Sequence, residues 1–229
     1  MPDQTQKQIR WTPIFERIPE DKRQRVLDCA KKAFSEEGFA RANVNRIAEA
    51  AGISVGSLYK YFRTKEDLFL AIIETIHEVL VVALDEIFRE HAGFYDRIEA
   101  ITRAAISSSE SDPELLRIYI ACTTQELMPL ASKLSNSIES VAAARYRHLV
   151  EDARQTGEIP PGMDADAASF LMDNLFLMLQ FSFGSAYYAE RLRVFLGEGA
   201  LEDKERIVLS TLAFIKRALG EGPAKTNRT

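Results

Sequence analysis

Apolar residues recur every three or four positions along most of the chain, and this spacing is typical of amphipathic α-helices. The first such stripe predicts a helix from about Pro19 to Glu37, and Gly38 stands where a left-handed residue commonly ends a helix. Its apolar positions are Val26, Ala30, Ala33 and Phe34. No segment shows a convincing alternation of apolar and polar residues, so the pattern predicts an all-α chain.

Two short helices joined by a tight turn are predicted between residues 43 and 62. Asn43 and Ser54 are favourable N-cap residues and stand where the two helices are expected to begin. Between them, Gly52 tolerates the positive φ of the turn, and Ala48 is small enough for two helices to cross closely. The residues predicted to fill the small core are Ile47, Ile53, Leu58, Phe62 and, from the first helix, Phe34.

A long fourth helix is predicted to begin at Thr64, because Thr64-Lys65-Glu66-Asp67 matches the S/T-x-x-D/E start signal. Five further helices follow, and their predicted ranges are about 95–108, 113–127, 129–155, 164–190 and 201–219. The pattern therefore predicts about nine helices, with a three-helix domain containing a helix-turn-helix followed by a larger helical domain. The expected divisions are an N-terminal extension at 1–18, the helix-turn-helix domain at 19–65, the second domain at 66–220 and a flexible tail at 221–229.

The outward face of the third predicted helix lacks acidic groups and carries hydroxyls, a lysine and two phenols. Such a helix fits a DNA major groove, where Lys60 can donate to guanine O6 and N7. Residues 1–65 contain 13 Lys and Arg against 8 Asp and Glu, whereas the whole chain has a net charge of −5. This local excess of positive charge favours a polyanionic partner. The predicted DNA-contacting residues are Asn43, Arg46, Ser54, Gly56, Ser57, Tyr59, Lys60, Tyr61 and Lys65.

The segment NVNRIAEAAGISVGSLYKYFRTKEDL, residues 43–68, closely resembles the signature of the tetracycline-repressor (TetR) family of bacterial regulators. The resemblance covers about residues 20–70, and Asn43 stands where that family often has Thr. It implies a dimer that binds a roughly palindromic double-stranded DNA operator, with the third helix on the bases and Tyr59, Tyr61 and Lys65 on phosphates. The resemblance implies repression of transcription that a small-molecule effector relieves, and activation of transcription is the alternative.

The predicted helix at 164–190 is apolar on nearly all sides, so we expect it to be buried on two sides. Together with the last helix it would form a four-helix interface in a homodimer. The predicted interface residues are Phe176, Leu179, Phe183, Tyr187, Val208, Leu212 and Ile215.

A few polar residues lie among the apolar positions of the second domain, as in pockets that bind a small lipophilic or aromatic molecule. The candidate ligand-binding residues are His77, Tyr119, Cys122, Thr123, Glu126, Asn174, Phe176 and Gln180. The same residues are equally compatible with hydrogen-bonded polar groups of an ordinary core. The domain at 66–220 is therefore expected to dimerise and to bind an effector whose identity the sequence does not give.

Three other functions fit parts of the sequence less well. Glu74-x-x-His77 resembles half of a di-iron carboxylate site, but the second Glu-x-x-His pair that such an enzyme needs is missing. Cys29 and Cys122 match no zinc or thioredoxin spacing. Cys29 lies near the apolar stripe of the first helix and Cys122 in a helix that is expected to be buried, which favours structural thiols over a redox sensor. A helical adaptor that acts only through protein partners would not need the lysines and tyrosines of the third helix.

The composition is 46% hydrophobic and 28% charged, as in an ordinary globular protein. The N-terminal residues lack the apolar run of a signal peptide, and the most apolar stretch contains Asp173, which is costly at mid-bilayer. We therefore expect a cytoplasmic regulator without a cofactor, a metal or a membrane partner.

Overall fold

A computed structural model of the chain describes residues 10–220, except for the side chains at 125, 126, 129, 131, 132 and 134–138. Within this range the regular structure is entirely helical, which confirms the predicted fold class. Residues 1–9 of the predicted extension and the predicted flexible tail at 221–229 lie outside the described residues. The α-helices are α1 (Pro13–Glu16), α2 (Glu20–Arg41), α3 (Val44–Ala50), α4 (Val55–Tyr61), α5 (Lys65–Glu90), α6 (Phe94–Ser111), α7 (Pro113–Cys122), α8 (Ala131–Thr156), α9 (Ala165–Gly184), α10 (Ala186–Leu196) and α11 (Lys204–Leu219).

The described residues contain two α-helices more than the sequence analysis predicted. One is α1, a single turn with Pro13 at its start. The other arises because the predicted helix at 164–190 is divided at Ser185, which is extended at φ −133° and ψ 130° and separates α9 from α10. Gly38 interrupts α2 with a positive φ of 76°, as predicted, but its ψ of 166° is not that of a left-handed helical residue, and α2 continues to Arg41 instead of ending at Glu37.

The chain divides into two compact units. The N-terminal unit comprises the described residues up to Ile76 together with Arg117–Leu134, and the C-terminal unit comprises His77–Leu116 and the chain from Ser135 onward. The sequence analysis placed the boundary after residue 65 and assigned 117–134 to the second domain. Helix α5 begins in the N-terminal unit and ends in the C-terminal unit.

The N-terminal unit has a small aromatic and aliphatic core. Phe34 of α2 packs edge-to-face on Phe69 of α5, with ring centroids 5.1 Å apart. The predicted core residues Ile47, Leu58 and Phe62 are buried with Phe34, and only Ile53 is half-buried. Burial of each large apolar side chain contributes roughly 1.5–3 kcal/mol, so this core holds the short helices α3 and α4 in place.

The C-terminal unit has a larger core built from α5, α6, α8, α9 and α11. Asp164 begins α9 by accepting hydrogen bonds from the Asp166 and Ala167 amides at 3.0 and 3.1 Å. Within the core, Tyr146 of α8 and Phe176 of α9 meet edge-to-face at 5.6 Å between ring centroids. Among residues 10–220, none of the helices combines the length and the apolar character needed to cross a membrane.

Candidate nucleic-acid interface

The local chemistry of residues 43–57 sets the geometry of α3 and α4. The Asn43 side-chain oxygen accepts a hydrogen bond of 2.8 Å from the Asn45 amide, and Ser54 Oγ accepts one of 3.1 Å from the Ser57 amide. Gly52 has a φ of 69°, which an L side chain rarely adopts. Both predicted N-caps and the predicted turn residue are confirmed, and together they form the helix-turn-helix.

One side of α4 is exposed, and we call Ser54, Gly56, Tyr59 and Lys60 the α4 face. The Tyr59 side chain is 49% exposed, and Lys60 is also exposed. A Cβ atom at Gly56 would meet only Ser54 Oγ, at 3.9 Å, so the helix presents open space here. Ser57, which was predicted to lie on this face, is half-buried and shares a 2.9 Å hydrogen bond with Ser54 Oγ.

The prediction that Tyr61 lies on the exposed face is wrong. Its side chain is only 5% exposed and packs against Phe15, with ring centroids 5.5 Å apart. Tyr61 follows Leu58 by three residues and therefore shares its buried side of the helix. Its partner Phe15 belongs to the unpredicted helix α1, so nothing near Tyr61 in the sequence identified the contact.

Two basic residues flank the α4 face and already have partners in the N-terminal unit. Arg46 of α3 forms a 3.1 Å ion pair with Glu37, and 72% of its side chain is exposed. Lys65 Nζ donates a 2.9 Å hydrogen bond to the Ala40 carbonyl and lies 5.0 Å from the centroid of the Phe39 ring. An exposed ion pair is worth about 0–1 kcal/mol and exchanges readily for a phosphate. The Lys65 ammonium carries three N–H donors in all.

Arg63 is a basic residue that the sequence analysis missed. It is exposed and lies between the end of α4 at Tyr61 and the beginning of α5 at Lys65. Its position between Lys60 and Lys65 in the sequence is the signal that identifies it as a further candidate for phosphate contact.

The candidate ligand residues are distributed over the two units. His77, Asn174, Phe176 and Gln180 belong to the C-terminal unit, whereas Tyr119, Cys122, Thr123 and Glu126 belong to the N-terminal unit. The side chain of Glu126 lies outside the described residues.

Three of these residues have hydrogen-bond partners within the protein. Asn174 donates to the Phe170 carbonyl at 2.7 Å, and Thr123 donates to the Ile120 carbonyl at 2.7 Å. Gln180 donates to Ser108 Oγ at 3.0 Å. For these three residues, the contacts are those of satisfied polar groups.

Asp173 of α9 is a half-buried ionisable group that the sequence analysis did not name as a candidate site residue. Burial, and to a lesser extent the negative charge of Glu139, raises the pKa of its carboxyl to about 6. Burial and the same two carboxylates also raise the pKa of Tyr146. This acidic group beside an aromatic core therefore titrates well above the usual range of a carboxyl.

Most residues predicted for the dimer interface lie on the side of their helix that faces the core of the same protomer. Phe176, Val208, Leu212 and Ile215 are buried in the core of their own protomer, and Leu179 and Phe183 are half-buried. Only Tyr187 of the predicted set is exposed. The large exposed apolar side chains of α9, α10 and α11 are Phe170, Leu171, Tyr187, Val194, Phe195, Leu196, Leu209 and Phe214.

The thiols have the character of structural residues. Cys29 and Cys122 are reduced and half-buried. Burial, followed by the charge of Asp28, raises the pKa of the Cys29 thiol, which disfavours the reactive thiolate. Among the described residues, no three His, Cys, Asp or Glu side chains are grouped as metal ligands.

Comparison with known proteins gives a match over the helix-turn-helix. Residues 26–72 match the family described as bacterial regulatory proteins, tetR family. Two similar proteins come from Bacillus subtilis (strain 168). The uncharacterized HTH-type transcriptional regulator YhgD is 23% identical over 164 residues, which are 70% of this chain and 83% of that protein. The fatty acid metabolism regulator protein is 24% identical over 143 residues, which are 62% of this chain and 73% of that protein.

Solved structures share the fold. FadR from Bacillus subtilis in complex with stearoyl-CoA has a TM-score of 0.69 at 18% identity, covering 84% of this chain and 96% of that one. The fatty acid degradation regulator FadR from Bacillus halodurans has a TM-score of 0.68 at 18% identity, covering 89% and 96%. The matched family consists of bacterial regulatory proteins, YhgD is described as a transcriptional regulator, and the second relative is described as a regulator of fatty acid metabolism.

Proposed function

We propose that this chain, whose residues 26–72 match the tetR family of bacterial regulatory proteins, is a repressor that binds a palindromic operator as a dimer and is released by a lipophilic effector. The proposal rests on the α4 face. This face combines an exposed lysine and an exposed phenol with open space in front of the backbone at Gly56. DNA is the partner that this combination fits best.

The size and chemistry of α4 suit the major groove. A seven-residue helix is about 10 Å long, and the groove is about 12 Å wide. Lys60 would donate to a guanine edge, and the Tyr59 hydroxyl would bind a phosphate oxygen. Asn43, Arg46, Arg63 and Lys65 would contact the DNA backbone, which positions the protein without reading sequence.

A dimer is required because one α4 reads only a few base pairs, and symmetric half-sites lie about 34–36 Å apart. Exposed apolar residues on α9 and α11 support this assembly, since a large apolar surface on a soluble protein commonly marks an interface. In this proposal Phe170, Leu171, Leu209 and Phe214 replace the buried residues of the predicted interface.

The effector is proposed to bind in the C-terminal unit. Stearoyl-CoA occupies the Bacillus subtilis neighbour, and we infer that long-chain acyl-CoA is the first class to test here. Because α5 begins beside α4 in the sequence and ends in the C-terminal unit, a ligand that displaces α5 would alter the spacing of the two α4 helices. Coupling of about 1–3 kcal/mol would weaken operator binding by about 5- to 150-fold.

Selection of binding sites from random double-stranded DNA tests the proposal. The expected outcome is enrichment of an inverted repeat that the protein prefers over shuffled DNA by at least about 10³-fold at physiological salt. Stearoyl-CoA should then dissociate the protein from this DNA site, and free CoA at the same concentration serves as the control. Recovery of DNA without any enriched sequence would contradict operator binding, and an effector-independent Kd would contradict induction by acyl-CoA.

A further inference from the structure

A short segment before α2 lies against the end of α4, and we call residues 10–15 the N-terminal clasp. The Thr12 amide donates a 2.9 Å hydrogen bond to the Tyr61 carbonyl, and the Thr12 hydroxyl donates a 2.6 Å hydrogen bond to the Lys60 carbonyl. Carbonyls in the last turn of a helix lack partners within that helix. Thr12 therefore caps the C-terminal end of α4 from a position 48 residues before Lys60 in the chain.

Phe15 anchors the clasp in the core of the N-terminal unit. Its side chain is 1% exposed, and its ring centroid lies 4.7 Å from that of Phe62 and 5.5 Å from that of Tyr61. A helix of seven residues has too few internal hydrogen bonds to be stable alone. The position of α4 therefore depends on such tertiary contacts at its end.

The clasp also contacts α5 through an ion pair that is mostly buried. Arg10 Nε lies 3.4 Å from Glu74 Oε1, and the two side chains are only 12% and 14% exposed. Glu74 precedes Ile76, the last residue of α5 that belongs to the N-terminal unit. Removing one member of a buried ion pair leaves a desolvated charge, so the contact resists separation. The same short segment thus contacts both the end of α4 and the body of α5.

We propose that the N-terminal clasp is the positioning element for operator recognition, in which Thr12 and Arg10 fix the angle between α4 and α5. This inference rests on the proposed function, because the consequence of the positioning is sequence-specific DNA binding. Thr12, Phe15 and Glu74 act as positioning residues and need not contact DNA. A displacement of α5 at Glu74 reaches the end of α4 through Arg10 and Thr12, in addition to the direct connection through residues 62–64.

The chain carries its own optical probe of the clasp. Trp11 is the single tryptophan of the sequence. Its ring centroid lies 6.1 Å from that of Phe15, and its indole N–H donates a 3.2 Å hydrogen bond to Glu16. Quenching of its fluorescence by acrylamide therefore reports on whether the clasp is docked.

The test uses the full chain with Thr12→Val, which removes the hydroxyl donor, and Glu74→Gln, which removes the partner of Arg10. Thr75→Val is the matched control for the first, because the Thr75 hydroxyl is directed to the Ala71 carbonyl within α5 at 3.4 Å. Glu205→Gln is the matched control for the second, because Glu205 pairs with Arg103 in the C-terminal unit at 2.7 Å. The operator is the site selected by the wild-type protein, and shuffled DNA of equal length measures non-specific binding.

Thr12→Val and Glu74→Gln should each increase Trp11 quenching and weaken operator binding about tenfold, with less than a twofold change on shuffled DNA. Glu74→Gln is especially informative, because loss of a negative charge alone would strengthen binding to DNA. The slope of log Kd against log salt should stay that of the wild type, since no phosphate contact is lost. Both control variants should match the wild type in quenching and in affinity.

Increased quenching of Trp11 with an unchanged operator Kd would overturn the proposal. If neither variant increases the quenching of Trp11, Phe15→Ala is used to remove the side chain that anchors the clasp. Thermal unfolding then confirms that this variant is folded. An exposed Trp11 with wild-type operator affinity in that variant overturns the proposal equally. Failure of the proposed function has a different signature, because the wild-type protein itself would then bind operator and shuffled DNA equally.

Discussion

Gly184 lies so close to Leu116 that a Cβ atom added at Gly184 would overlap the leucine side chain. Both residues belong to the C-terminal unit, where Gly184 ends α9 and Leu116 lies in α7. Leu116 is buried and therefore has little space into which it can withdraw. Packing, rather than an unusual backbone conformation, is thus the reason for a glycine at this position.

Gly184→Ala is expected to lower the free energy of unfolding by about 1–3 kcal/mol, as is typical of overpacking. Urea denaturation at fixed protein concentration measures this change. Gly162→Ala is the matched control, because a Cβ atom there meets nothing within 4 Å. Adding Leu116→Ala to Gly184→Ala should cost less than the sum of the two single changes. Equal free energies of unfolding for the Gly184 and Gly162 variants would contradict this prediction, because they would show that Leu116 moves aside without loss of stability.

Asp173→Asn should stabilise the protein at pH 7.5. The pKa of Asp173 is raised to about 6 in the folded chain, mainly by burial and secondly by Glu139. The folded state therefore binds this proton more tightly than the unfolded state, so stability falls as pH rises from about 4 to about 6. At one pKa unit per 1.36 kcal/mol, the charged carboxyl costs roughly 3 kcal/mol above that window.

Thermal unfolding between pH 4 and pH 8 measures the effect of this substitution. The Asn variant should lose the part of the pH dependence that lies between about 4 and 6. Asp21→Asn changes an exposed carboxylate of α2 and should keep the wild-type profile. An Asn variant whose pH profile matches the wild type would contradict a desolvated Asp173.

Phe214→Glu should convert the dimer into a monomer at micromolar concentration, because a carboxylate would be desolvated in the proposed α11 interface. Analytical ultracentrifugation gives the mass directly. Val82→Glu is the matched control, since Val82 is 56% exposed on α5 in the same unit, comparable with 60% for Phe214. A wild-type monomer, or dissociation by Val82→Glu instead, would contradict the interface.

Lys60→Ala should weaken operator binding about 10- to 100-fold and relax the preference at one base pair of each half-site, because a lysine contact to guanine is lost. Lys204→Ala removes the same charge from the C-terminal unit, where Lys204 pairs with Glu110, and should change the Kd less than twofold. Fluorescence anisotropy with labelled operators that vary at each position provides both readouts. An equal loss of affinity for every operator variant would indicate that Lys60 contacts a phosphate and not a base.

The parts of the fold that depend on local chemistry could be predicted from the sequence. Asn43, Ser54 and Gly52 act through hydrogen bonds and backbone conformation within a few residues, and the structure confirms all three. The apolar periodicity likewise predicted the helical class and the core residues Leu58 and Phe62.

The predictions that were wrong concern side chains whose contacts are made with residues distant in sequence. Tyr61 is buried because Phe15 covers it, and the turn that begins at Pro13 is too short for periodicity to detect. Helix α9 is apolar on both sides, so its composition does not tell which side meets its own core. In α11 the spacing of Leu212 and Ile215 matched a helical face, but that face packs inward.

Protection of guanine N7 from dimethyl sulfate on the selected operator shows whether α4 enters the major groove, because N7 lies in that groove. We expect protected guanines in two symmetric half-sites about one helical turn apart, and loss of protection at one position of each half-site in Lys60→Ala. Full reactivity of every operator guanine in the saturated complex, or the same protection in the Lys60 variant, would contradict recognition of DNA by the α4 face.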